Sequence, residues 1–106
     1  YVVRKLARLG VDDVVHPVKG YFEQTLPTLT GPFCMVFIDC DLRDSLRYCA
    51  DTLWDQLSPG GRMVFDDYTS DEYLGAREGV DELVAERADD IADHGLLSRL
   101  YYVVKA

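Results

Sequence analysis

Four aspartates stand where two apolar runs stop. Cys34-Met35-Val36-Phe37-Ile38 leads into Asp39-Cys40-Asp41, and Met63-Val64-Phe65 leads into Asp66-Asp67. A carboxylate offers hard oxygen donors, takes up protons, and repels its like when held close. Two acidic pairs brought together therefore favour a divalent cation between them. Because every donor is oxygen, Mg²⁺ is the first candidate. The competing reading is structural, since an Asp after a strand commonly caps the next helix, and Asp41 and Asp44 flank a helix start near Leu42. One such residue means little, but four at two consecutive strand ends point to a site.

The two pairs meet only if the intervening elements bring them together. Asp39 and Asp66 are 27 residues apart, the length of one strand–helix–strand unit. Ligands of open parallel sheets gather at the carboxyl ends of the strands. The run ending in Ile38 reads as a strand buried on both faces, and Met63–Phe65 as a second buried strand. Between them Leu42, Leu46, Cys49, Ala50, Leu53, Trp54 and Leu57 recur at helical spacing, with Arg43, Asp44, Arg47, Asp51 and Asp55 opposite. Ser58-Pro59-Gly60-Gly61 then reads as a turn.

The flanks continue the alternation. A helix is expected over Tyr1–Leu9, capped by Gly10. A strand is expected at Val14–Val18, and a short helix over Tyr21–Leu29, broken at Pro27. A polar loop runs through Glu72, a helix follows from Gly75 to about Ala88, and Tyr101–Val104 is a last strand. Helix and strand in turn predict an α/β fold over residues 1–106, with a mostly parallel sheet and right-handed crossovers. Trp54 is expected in the core, His16 in a structural role, and His94 in a solvated loop. Tyr68 is expected either at the mouth of the site or in packing.

Composition narrows the classes. Hydrophobic residues at 48% are too many for a disordered chain. Nineteen acids against 11 basic residues give a net charge of −8, which argues against nucleic acid as a partner. No apolar run is long enough to span a membrane, and no signal peptide is seen. The three cysteines, Cys34, Cys40 and Cys49, show no CxxC spacing, so neither a disulfide framework nor a zinc site is indicated. A reducing cytoplasmic setting follows as the expectation.

Two known patterns end a strand in acids. The Walker B segment of a nucleotide hydrolase comes with a GxxxxGK[ST] cradle, which is absent here. A receiver domain carries its acidic pair on the first strand and the single acceptor later, the reverse of this order.

Longer stretches are more specific. Val18-Lys19-Gly20-Tyr21-Phe22-Glu23-Gln24-Thr25-Leu26-Pro27, Ile38-Asp39-Cys40-Asp41-Leu42-Arg43-Asp44-Ser45, Leu57-Ser58-Pro59-Gly60-Gly61 and Phe65-Asp66-Asp67-Tyr68 resemble the macrocin O-methyltransferase (TylF-like) family. Gly75-Ala76-Arg77 leading into Val80-Asp81-Glu82 fits the same family. The resemblance implies a Rossmann-like class I methyltransferase that uses S-adenosylmethionine and Mg²⁺. Its substrate would be a small hydroxylated molecule, a sugar hydroxyl of a secondary metabolite such as an antibiotic. By residue match, Asp39, Asp66 and Asp67 would be metal ligands and Asp41 the general base. By position, Gly20, Tyr21 and Phe22 would lie near the cofactor. Arg43 stands where the family often has Tyr, and reads as a solvated helix residue.

No Gly-rich turn after a first strand is present, and Tyr1 aligns with the helix before the third strand of such a domain. The chain is therefore expected to match the C-terminal half of one methyltransferase domain, and turnover is not expected from these residues alone. Exposed apolar edges would then favour self-association. The alternative is a non-catalytic, receiver-like acidic module that binds metal and transfers nothing.

Overall fold

The computed structural model describes residues 1–106. Eight elements follow in order: α1 (Val2–Leu9), α2 (Phe22–Thr25), β1 (Phe33–Ile38), α3 (Arg43–Trp54), β2 (Leu57–Phe65), α4 (Leu74–Glu86), β3 (Ile91–Leu97) and β4 (Leu100–Lys105). Single 3₁₀ turns over Leu26–Thr28 and Ala88–Asp90 extend α2 and join α4 to β3. No helix is long and apolar enough to cross a membrane.

The strands form one sheet in the order β1-β2-β4-β3. β1 and β2 are parallel, whereas β2–β4 and β4–β3 are antiparallel. The α/β class is as expected, but the sheet is mixed rather than mostly parallel. The cause is β3, whose residues show no strand pattern in the sequence. It pairs with β4 through a two-residue turn at Ser98-Arg99, and this hairpin reverses the final strand. Ser98 takes φ 58°, the left-handed conformation such a turn requires. β3 lies at the sheet edge with Asp93, His94, Leu96 and Leu97 exposed, so its pattern carried no buried face.

The core lies on one side of the sheet. α3 contributes Leu46, Cys49, Ala50, Leu53 and Trp54, and α4 contributes Ala76, Val80 and Leu83. They close over Ile38, Met63, Phe65 and Val103 of the strands. Spacing three or four residues apart puts each set on one helical face, as the sequence predicts. Leu57 is buried too, but as the first residue of β2 rather than the last turn of α3. The expectation that β1 is buried on both faces fails. Met35 and Phe37 are 53% and 49% exposed, because both long helices cover the opposite face.

Two further expectations change, and one holds. Val14–Val18 forms no strand. Pro17 offers no N–H, no neighbouring strand pairs with it, and Val14 and Val15 instead donate backbone N–H groups to the Val11 carbonyl. Ser58–Gly61 does not end the chain's run but sits inside β2 as an irregularity. The pairing jumps from Phe33↔Leu57 to Met35↔Arg62, with Gly60 at φ 79°. α1 forms and is capped by Gly10 at φ 72°, but it buries none of its residues.

Trp54 closes the core at the end opposite the acids. Its Nε1 donates to Asp90 Oδ2 at 2.6 Å, and Lys105 Nζ donates to the Trp54 and Leu57 carbonyls, each at 3.0 Å. On the outer side of the helix pair, Arg47 of α3 bridges Asp51, Glu82 and Glu86. Arg43 grips Glu82 through two nitrogens, Nε at 2.8 Å and a terminal nitrogen at 2.7 Å. Arg43 is therefore a tie between α3 and α4, not a merely solvated residue.

Candidate functional site

β1 and β2 are parallel neighbours paired as Ile38↔Phe65, so both chains leave the sheet at the same edge. The residues that follow, Asp39–Asp41 and Asp66–Asp67, consequently meet there. Carboxylate oxygens of Asp39, Asp41 and Asp67 all lie within 4.8 Å of one another. Opposite ligands of an octahedral Mg²⁺ ion are about 4.2 Å apart, so the three groups come near the span that one such ion bridges. A cluster made of three carboxylates suits a hard cation.

Asp66 is placed differently. Its side chain is 11% exposed, and its Oδ1 accepts from the Asp67 backbone N–H at 2.7 Å and forms an ion pair with Arg99 Nε at 3.2 Å. Its oxygens are not among the three that cluster. The Asp66 N–H donates to the Ile38 carbonyl at 3.0 Å, which ties the end of β2 to the end of β1. Asp67 is held at φ 59°, a conformation that Asp tolerates better than most residues. Thus Asp66 fixes the backbone from which Asp67 projects.

The edge is strongly acidic. Burial raises the Asp67 pKa above its usual range, and the charges of Asp66, Asp39 and Asp41 push it further, while Arg99 opposes them. Cys40, between Asp39 and Asp41 in the chain, has a thiol that is also pushed up by burial and lies 4.0 Å from Cys49 Sγ.

Tyr68, next along, is held on every side. Its hydroxyl donates to Asp81 Oδ1 at 2.6 Å, its N–H to the Arg99 carbonyl at 3.1 Å, and its carbonyl accepts from Arg77 Nε at 3.3 Å. The Asp81 contact lifts the Tyr68 pKa to about 12. Tyr101 lies against the Tyr68 ring at 4.6 Å between centroids. These contacts leave Tyr68 as a strut for the Asp66–Asp67 link.

The remaining candidates lie on other segments of the chain. Gly20, at φ 143°, precedes Tyr21 and Phe22, which are 78% and 39% exposed at the start of α2. They offer open aromatic faces. His16 lies in an irregular segment. His94 lies in β3, not in a loop, with its Nδ1 2.6 Å from the Tyr101 hydroxyl. Arg99 is the charged residue that the sequence reading missed. Its signal was Leu96-Leu97-Ser98-Arg99-Leu100-Tyr101, two polar residues between apolar pairs, the pattern of a tight hairpin.

Residues 1–68 match the family described as "Methyltransferase domain". A tetracenomycin-C 4'-O-methyltransferase of Streptomyces olivaceus (the 8-demethyl-8-(2,3-dimethoxy-alpha-L-rhamnosyl) form) is 34% identical over 84 residues. That match covers 72% of this chain and 32% of the relative. The O-methyltransferase NovP superposes with a TM-score of 0.76 at 23% identity, over 99% of this chain and 43% of NovP. The mycinamycin-pathway methyltransferase MycE, solved with Mg and SAH, gives 0.70 at 16% identity, over 92% of this chain and 34% of MycE. At those identities the two structures speak to the fold alone, and they place it among Rossmann-like methyltransferases. The chain thus spans about a third of the length of the curated relative and under half of NovP. With the family match covering well over half of its residues, this chain belongs to the methyltransferase-domain family.

Proposed function

We propose that this chain carries the metal and acceptor side of an S-adenosylmethionine-dependent O-methyltransferase of the macrocin O-methyltransferase (TylF-like) type. One observation carries the reading: three carboxylates from the ends of two adjacent parallel strands converge within 4.8 Å at the edge where such folds bind ligands. The relative's name, a 4'-O-methyltransferase of a rhamnosylated tetracenomycin, supports a sugar hydroxyl of an antibiotic-like small molecule as acceptor. The Mg and SAH bound by MycE support the choice of cation and cofactor.

Asp39 and Asp67 are the ligands we assign to Mg²⁺. Asp66, whose Oδ1 is engaged by the Asp67 N–H and Arg99, would be the third ligand. When bound, the cation would supply Lewis acidity, lowering the pKa of an alcohol and fixing its oxygen. S-adenosylmethionine supplies an electrophilic methyl group. Asp41 makes no hydrogen bond or ion pair with the protein and lies inside the cluster, so it is the group we assign to accept the hydroxyl proton. Gly20, Tyr21 and Phe22 form the face we assign to the adenosyl cofactor: two exposed rings for stacking beside a residue without a side chain. The acidic surface repels nucleic acid, and the three free thiols fit a reducing cytoplasm.

A second reading is favoured by the openness of that aromatic face: residues 1–106 alone bind the cation and transfer no methyl group. Titration with Mg²⁺ and with S-adenosylmethionine, followed by calorimetry, separates the two. Binding of both supports the first reading, and cation binding without cofactor binding supports the second. Undiminished methyl transfer in excess EDTA by the protein containing this chain would remove the metal from the mechanism.

A further inference from the structure

Two glycines lie one helical turn apart on the face of α4 that meets α3. At Gly75 a Cβ would stand 2.7 Å from the Arg43 backbone nitrogen, 2.8 Å from the Asp41 carbonyl oxygen and 3.3 Å from the Leu42 carbonyl carbon. All three atoms are backbone, and all belong to the link that carries Asp41 from β1 into α3. At Gly79 the first atom met is Leu46 Cδ2 at 2.8 Å, the end of a side chain. The two positions therefore touch different parts of the molecule.

A methyl group at Gly75 leaves little choice about what moves. α4 is fixed from below by Ala76, Val80 and Leu83, each fully buried. It is fixed from the side by the paired Arg43–Glu82 contact. The link is softer, since Asp41 and Leu42 are exposed and Asp41 has no side-chain partner. We infer that Gly75 is a positioning residue: its missing side chain seats the Asp41 link directly on α4 and so places the Asp41 carboxylate beside those of Asp39 and Asp67. The inference rests on reading the three acids as a cation centre.

Gly75→Ala and Gly79→Ala form a matched pair. Mn²⁺ serves as the probe, titrated into the chain and both variants below their melting transitions. Gly75→Ala should weaken Mn²⁺ binding by about tenfold or more, because it moves the Asp41 carboxylate, the proton acceptor whose charge also faces the cation, out of the cluster. Gly79→Ala should lower Tm while leaving Mn²⁺ affinity within roughly twofold, because it disturbs only the helix contact. Wild-type affinity in Gly75→Ala, or equal losses in both variants, overturns the inference and leaves the cation centre standing. Failure of the unsubstituted chain to bind Mn²⁺ overturns the cation centre and this inference with it. Should Gly75→Ala not fold, amide shifts of the unsubstituted chain on adding Mg²⁺ decide the matter. The Gly75 amide should shift together with that of Asp41, and a Gly75 signal that stays fixed while Asp41 moves overturns the inference.

Discussion

Individual aspartates at the acid edge carry different duties although the sequence presents them alike. Asp39, Asp41 and Asp67 share one small volume, while Asp66 turns inward to hold the Asp67 N–H and meet Arg99. Spacing located the edge, because four acids after two strands are legible. Rotamer and partner decide the duties, and the partner of Asp66 comes from residue 99, far beyond any local pattern. Asp39→Asn and Asp67→Asn should each weaken Mn²⁺ binding by about tenfold or more, since a ligand charge is lost at unchanged shape. Asp44→Asn is the control: that side chain is 90% exposed on α3 and outside the cluster, so affinity should not change. Equal losses for all three substitutions would mean that only the overall charge matters.

At the scale of elements, the α3–α4 pair is held by apolar contacts within and by charge outside. Pairing with Arg43 holds the Glu82 pKa below the usual carboxylate range, and pairing with Arg47 does the same for Glu86. A depressed folded-state pKa stabilises the fold above the unfolded value, about 4.3 for Glu, and this stability is lost as pH falls through the lower folded value. Thermal unfolding followed by circular dichroism should therefore show Tm falling as pH drops below about 4.3, with a smaller fall in Glu82→Gln. Trp54 offers the second test, since its Nε1 bonds Asp90 and two cations lie over its ring. Trp54→Phe should cost about 2 kcal/mol, read from urea unfolding, mostly from leaving the Asp90 carboxylate without its donor. The helices α3 and α4 were legible because their buried faces repeat at helical spacing. β3 was not, because an edge strand with both faces largely solvated has no repeat to read. Val14–Val18 shows the converse. Its β-branched residues suit a strand, yet a strand exists only where a neighbour accepts its hydrogen bonds.

Across the whole molecule, one face of the sheet is covered and the other is open. Met35 and Phe37 of β1 stay half exposed, and β1 pairs on one side only. Such an edge invites other strands, so light scattering should show association that rises with protein concentration. Met35→Lys should suppress it without lowering Tm, because the side chain points away from the core. The fold class was readable from the alternation of helices and strands. The reversal in the sheet was not, since it depends on a turn of two residues.

The sheet order also carries a consequence for how the chain acquires its structure. β4, last in sequence, is an interior strand, bonded to β2 on one side and β3 on the other. The hairpin it ends in delivers the Arg99 carbonyl to Tyr68 and the Arg99 guanidinium to Asp66. On a ribosome, β1, α3 and β2 emerge together and pair locally, but the Asp66–Tyr68 link lacks its two Arg99 contacts until residues 99–105 arrive. Completion of the acid edge is therefore a late event that waits on the β2–β4 pairing. A nascent chain stalled after α4 would hold the three clustered acids without the Arg99 contacts to Asp66 and Tyr68.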